Sequence, residues 1–139
     1  RQMCIRDRFG SSLQVLADFA GWEGWINFAH DHQRLFATIR DKKANGLLCL
    51  SGDTHYGEIS RLDVNTPYPI WDITSSGLTE VWPVTPPNAL RVGEVYRDQN
   101  FGLLTVGWGG ESPVVLAQVR DVHGTVRLEQ AIRIGDLVV

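Results

Sequence analysis

The sequence predicts a β-rich α/β fold with one main helix and a mixed sheet that ends in an antiparallel hairpin. Three observations carry this reading. A single helix-like run, "HDHQRLFATIRDKKANG", is followed at once by a short continuous apolar run at residues 47–50, the pattern of a strand covered on both faces. From Tyr56 onward the chain reads almost wholly as strands punctuated by Gly and Pro. One good helix then serves six or seven strands and covers little of a parallel-type sheet, so the chain reads as half of a larger α/β sandwich.

Taken in order, "RQMCIRDR" has no apolar period and no signal-peptide layout, and it opens on Arg1. Residues 1–8, Cys4 among them, are expected to be an artefactual or disordered terminus, with the fold in residues 9–139. "SSLQVLADF" (residues 11–19) reads as a strand, and Gly21 and Gly24 interrupt the aromatic "GWEGWINF". In the helical run Phe28, Leu35, Phe36 and Ile39 recur at the spacing of one helical face. Asn45-Gly46 supplies a stop, with Lys42 and Lys43 near the negative end of the helix dipole. After the buried run come a partly alternating strand, "YGEISRLDV", a turn, "NTPYP", and a second strand, "IWDITSS", ending at Gly77. "PVTPPN" is a loop and "FGLLTVGW" a strand closed by Gly109-Gly110. "PVVLAQVRDV" and "TVRLEQAIRI" flank His123-Gly124 as a hairpin. In its last strand Val126, Leu128, Ile132 and Ile134 share one face and Arg127, Glu129 and Arg133 the other, which leaves one side wet.

Bulk properties narrow the function. A net charge of −3 gives no basic field for nucleic acid or an anionic membrane. No apolar run approaches the roughly 18 residues of a spanning helix. Two cysteines are too few for a disulfide framework, and Cys49, inside the apolar run, reads as a core thiol.

The chemistry sits where the apolar run stops, at Gly52-Asp53-Thr54-His55. Ligands of α/β sheets collect beyond the carboxyl ends of strands. If the backbone stays extended there, Asp53 and His55 point the same way, and Gly52 lets the backbone turn or approach an ion. A carboxylate beside an imidazole makes half of a metal cage, suited to Fe, Mn or Zn, or to Ca in oxygen-rich versions. Glu58 would support that pair from behind. The plain alternative is a hydrogen-bonded pair at a strand end.

The segments "GWEGWINFAHDHQRLFATI", "LCLSGDTHYGEISRL", "YPIWDITSSGLTE" and "PPNALRVGEVYRDQNFGLLTV", with the closing hairpin, resemble the carboxyl half of alkaline-phosphatase-D-like (PhoD-like) metallophosphatases, from about Ser11 to the end. That family is similar to calcineurin-like phosphoesterases: two sheets between helical layers, hydrolysing phosphate mono- or diesters at a metal cluster, usually in exported proteins. The resemblance implies a partial metallophosphatase sandwich. It also implies Asp53 and His55 as metal-site residues, divalent or trivalent ions as cofactors, a phosphate-ester substrate, and a periplasmic or extracellular location. The family's other ligand motifs come earlier in its chains, and nothing in residues 9–50 matches them. Where the family has a Pro-His-Glu-Arg-type helix start, this chain has "AHDHQ". Each ion takes roughly four to eight donors. Two candidates here imply that the amino-terminal half of the domain supplies the rest, and that this part is inactive alone.

Other residues have plainer readings. Residues two apart on a helix diverge, so His30 and His32 cannot chelate one ion and read as a solvated helix start. Ser75 and Ser76 lack a nucleophile elbow and read as a strand-end turn. Asn100 reads as a loop cap and His123 as turn chemistry. Trp22, Trp25, Trp82 and Trp108 read as packing, and Trp71, near a strand end, is the one most open to a substrate role. Two rivals remain: a non-catalytic β-rich binding or assembly module, and a mononuclear site completed by Glu58, Asp72 or water.

Overall fold

The computed structural model describes residues 8–19 and 21–139. The expectation for residues 1–7, with Cys4, lies outside the described residues. Arg8, expected to fall outside the fold, belongs to it. The short strand β1 (Arg8–Gly10) runs parallel to β2 (Leu48–Ser51), with Arg8 opposite Leu48. Between them lie a 3-10 turn at Trp25–Phe28 and the helix α1 (Ala29–Asp41). Next come β3 (Gly57–Leu62), β4 (Ile70–Ser75), β5 (Asn100–Gly107), β6 (Val114–Asp121) and β7 (Val126–Arg133).

The protein is mixed α/β, β-rich, with one main helix and two sheets. The first sheet has the order β1-β2-β4-β3, parallel except for β3 against β4. The second is antiparallel, β5-β6-β7. The closing hairpin therefore does not end the mixed sheet, as the sequence suggests, but belongs to a sheet of its own. The mixed sheet has no room for it on the β3 side, where Gly57 and Ser60 already bridge to Tyr96 and Arg91. The alternation of β6 buries Val115, Ala117 and Val119, and the two sheets share one core. Leu48, Cys49, Ile59, Ile70 and Ile73 come to it from the first, and Val115, Ala117 and Ile132 from the second. The sheets touch where Gly57 faces Val119: a Cβ at Gly57 would lie 2.6 Å from a Val119 methyl.

The helix buries Ile39 and packs Leu35 and Phe36 against this core. Phe28 does not join them. It lies in the 3-10 turn, out of phase with α1, and is exposed. The thiol of Cys49 is buried, and desolvation, helped by the Asp72 charge, raises its pKa well above the ordinary value. It is an inert core group, as expected.

Residues 11–19 form no strand. After Ser11 N–H donates to the Leu50 carbonyl (2.9 Å), the segment leaves the sheet and crosses it as an irregular stretch with residues 14–17 buried. Its backbone is satisfied by side chains instead of by a neighbouring strand. The Leu13 N–H finds Ser11 Oγ at 3.2 Å. Those of Val15 and Leu16 donate to Asp72 Oδ2 at 2.7 and 3.1 Å. Asp72 Oδ1 accepts from Ser51 Oγ at 2.7 Å. Asp72 is 1% exposed, and burial raises its pKa although these three donors oppose the shift. Removing that carboxylate with Asp72→Ala strands the two buried N–H groups of Val15 and Leu16, while Ser51 Oγ keeps Thr74 Oγ1 at 2.8 Å, and is expected to lower the unfolding free energy by about 3 kcal/mol. Asp72→Asn, which keeps an acceptor, is expected to lose less. Urea denaturation of the two variants measures both.

Candidate functional site

Beyond the carboxyl end of β2 the chain turns through Gly52-Asp53-Thr54-His55. The backbone is not extended there, so side-chain alternation does not align the two candidate ligands. Asp53 and His55 instead both adopt left-handed backbone, with φ of 73° and 60°. That conformation is uncommon for residues with a Cβ and gathers at functional sites. Ser76, at the end of β4, holds the turn. Its hydroxyl accepts from the His55 N–H (2.9 Å), lies 3.2 Å from Thr54 Oγ1, and donates to the Tyr56 carbonyl at 3.3 Å. Ser76 thus braces the site, while Ser75 Oγ donates to Asn100 Oδ1 (2.9 Å) and ties the two sheets together. Neither serine faces the cleft as a nucleophile.

Asp53 and His55 nonetheless share a cleft. Both line one open cleft of about 420 Å³, with Leu13, Trp22, Glu23, Thr54 and Trp82. Among the described residues the Asp53 carboxylate has no hydrogen bond or ion pair. His55 is half-buried, and its Nδ1 is enclosed without a partner. An unpaired carboxylate and an orphaned imidazole nitrogen suit cation binding. No group of three or more His, Cys, Asp or Glu among the described residues lies close enough to hold an ion by itself.

Glu58 is fully buried and engaged elsewhere. It pairs with Arg91 Nε and accepts from Gln14 Nε2 (3.2 Å), Asn88 Nδ2 (2.6 Å) and Ser60 Oγ (3.4 Å). It reaches the cleft only through Gln14, which also donates to Thr74 Oγ1 at 3.1 Å and stands next to Leu13. Burial, with the Glu58 charge beside it, pushes the Tyr56 phenol up to about 12, so it stays a donor toward Gln14 Oε1 at 3.4 Å. Asp72 is committed to the 11–19 segment. The mononuclear arrangement with Glu58 and Asp72 therefore does not assemble: the oxygens of both carboxylates are spent on other donors.

The two helix histidines part as expected, but only His30 is solvated. His32 turns inward between Phe36 (ring centroids 4.7 Å apart) and Trp25 (6.5 Å). Burial lowers its pKa, outweighing an opposing hydrogen bond with the Val15 backbone. His123 occupies the hairpin turn, its N–H on Asp121 Oδ1 at 2.9 Å. Asn100 is buried and donates to the Asp98 carbonyl at 2.8 Å. Trp71 packs in β4 under the Arg61 guanidinium, away from the cleft. The tryptophans at the cleft are Trp22 and Trp82, edge to face with centroids 6.3 Å apart. Sixty positions separate them, and no local pattern pairs them. The one available signal was the aromatic Gly-Trp-Glu-Gly-Trp run, which carries Trp22 but says nothing of Trp82.

No protein-family model, no curated protein and no solved structure matches the chain. Among the described residues no helix is long and apolar enough to cross a membrane.

Two outcomes test this geometry. Asp53→Gly relieves left-handed strain at an exposed position and is expected to stabilise the fold by about 1 kcal/mol, read as a higher melting temperature. His32 favours its neutral form in the fold, so its contribution is complete above its ordinary pKa of 6.5 and is lost as pH falls through the lowered folded value. His32→Phe is expected to flatten stability against pH from 6.5 downward, measured by urea titrations across that range.

Proposed function

We propose that the chain is part of a metal-dependent phosphoric ester hydrolase of the PhoD-like kind, the carboxyl-terminal portion of a metallophosphatase sandwich, exported from the cytoplasm. The observation that supports this reading is the tip of β2, where Asp53 and His55 line one cleft from strained backbone, one with a carboxylate and the other with a ring nitrogen that have no partner among the described residues. That donor pair fits a borderline or hard cation: Fe, Zn, Mn or Ca. When bound, such ions supply an acidified water and neutralise charge on the phosphoryl oxygens.

The chain's own residues do the positioning. Ser76 fixes the turn, so that Asp53 and His55 are presented together without rearrangement. Neutral imidazole is the ligand form, and His55 acts as a holder of the ion and not as a proton shuttle. Trp22, Trp82 and Leu13 give the open cleft an apolar wall. Two donors against the four to eight that each ion takes means that further polypeptide completes the cluster, and that this chain alone does not turn over phosphate esters.

A second reading is a β-rich binding or assembly module without catalysis. It is favoured by the single core shared by both sheets. The two readings separate on metal. In the intact protein His55→Ala is expected to cut metal content and phosphoesterase activity together, by at least ~100-fold in affinity, the upper end of what losing even a supporting residue costs. Elemental analysis of the purified variant decides. Undiminished metal would remove His55 from the site and favour the module.

A further inference from the structure

We infer that the cleft at the tip of β2 seats an organic cation, an ammonium or quaternary ammonium head group, against Trp22 and Trp82. The rings themselves are the first reason. Their planes meet at 86°, so two indole walls stand nearly perpendicular beside Asp53 and His55. Phe19 backs Trp22 edge-on, with centroids 6.1 Å apart at 88°. The faces of such rings are electron-rich and attract cations, and aromatic cages recognise quaternary ammonium groups in this way.

Charge is the second reason. Glu23 and Asp53 both line the cleft, and among the described residues neither has an ion-pair partner and no Arg or Lys lines it. A neutral aromatic ligand would use the indoles and leave the carboxylates idle. A free anion would be repelled by them. A cation uses both walls. Exposure is the third. Trp82 is 48% exposed, which leaves ring surface open to a ligand, and its backbone N–H donates to the His55 carbonyl at 3.1 Å, which fixes it to the strained turn.

The cleft volume of about 420 Å³ has room for a small head group beside Asp53 and His55. Joined to the proposed hydrolase function, and resting on it for this step, the substrate becomes the phosphate ester of an amino or quaternary-ammonium alcohol. Binding of the head group itself needs neither metal nor hydrolysis.

The test is a titration of the 139-residue chain in chelator, followed by tryptophan fluorescence. The probes are choline and the neutral alcohol in which tert-butyl replaces trimethylammonium. Choline is expected to bind saturably and ~10-fold more tightly than its neutral twin, because only the cation gains from the indole faces. Trp22→Ala and Trp82→Ala are expected to abolish binding, with circular dichroism confirming their fold. Glu23→Gln, at an exposed position, is expected to weaken it about threefold with no change in melting. Equal affinity for the two probes, or no saturable signal from the folded parent chain, overturns the inference. In the intact protein, metal uptake without choline binding overturns it and leaves the hydrolase reading standing. Choline binding without metal uptake supports it and removes the hydrolase reading.

Discussion

The structure depends on the buried carboxylate of Asp72. A segment that leaves a sheet and runs through the interior carries peptide N–H groups that no strand satisfies, and unpaired they would be costly to bury. Asp72 takes two of them, from Val15 and Leu16, and a hydroxyl from Ser51. Burying a carboxylate is itself unfavourable unless donors converge on it. Glu58 repeats the arrangement one strand away, with Arg91, Asn88, Ser60 and Gln14 around it. Gln14 links the two systems through Thr74, which lies 2.8 Å from Ser51 Oγ. One continuous polar network thus lies beneath residues 11–19 and sets where Leu13 stands in the cleft wall.

The opposite wall rests on strain. Two non-glycine left-handed residues with one position between them persist only where the surroundings over-determine them. Here Ser76 reaches the His55 amide and the Tyr56 carbonyl, and the Trp82 amide closes on the His55 carbonyl. The parallel pairing of β2 with β4, Ser51 opposite Thr74, delivers Ser76 beside the turn that it braces. The cleft accordingly forms at the carboxyl ends of parallel strands, where α/β sheets collect ligands.

Its two sides differ in kind. Asp53 and His55 offer donors for a hard or borderline ion, and Trp22 and Trp82 offer polarisable faces. Both sides favour positive charge, since Glu23 and Asp53 have no Arg or Lys beside them among the described cleft residues. This ties the proposed metal chemistry and the proposed head-group site to one electrostatic property of the cleft. In a hydrolase an ion would have to reverse that property locally before a phosphate could approach.

What the sequence determined by itself was everything carried by short-range period and turn chemistry. The helix at residues 29–41, the buried run at 47–50, the strand at 70–75 and the hairpin around His123-Gly124 were legible because apolar spacing reports burial within one element. The abrupt halt of an apolar run at Asp53 and His55 marked the cleft for the same reason. The tertiary structure alone decided the rest. Residues 11–19 have the composition of a strand, but acceptors on Asp72 let them dispense with one. Glu58 found Arg91 across the bridge between β3 and the 91–96 loop, and Trp22 found Trp82 from sixty positions away. The left-handed turn is held by a hydroxyl just past the end of a neighbouring strand. Each of these joins residues remote in sequence, and local periodicity records whether a side chain is buried but not which distant group meets it there.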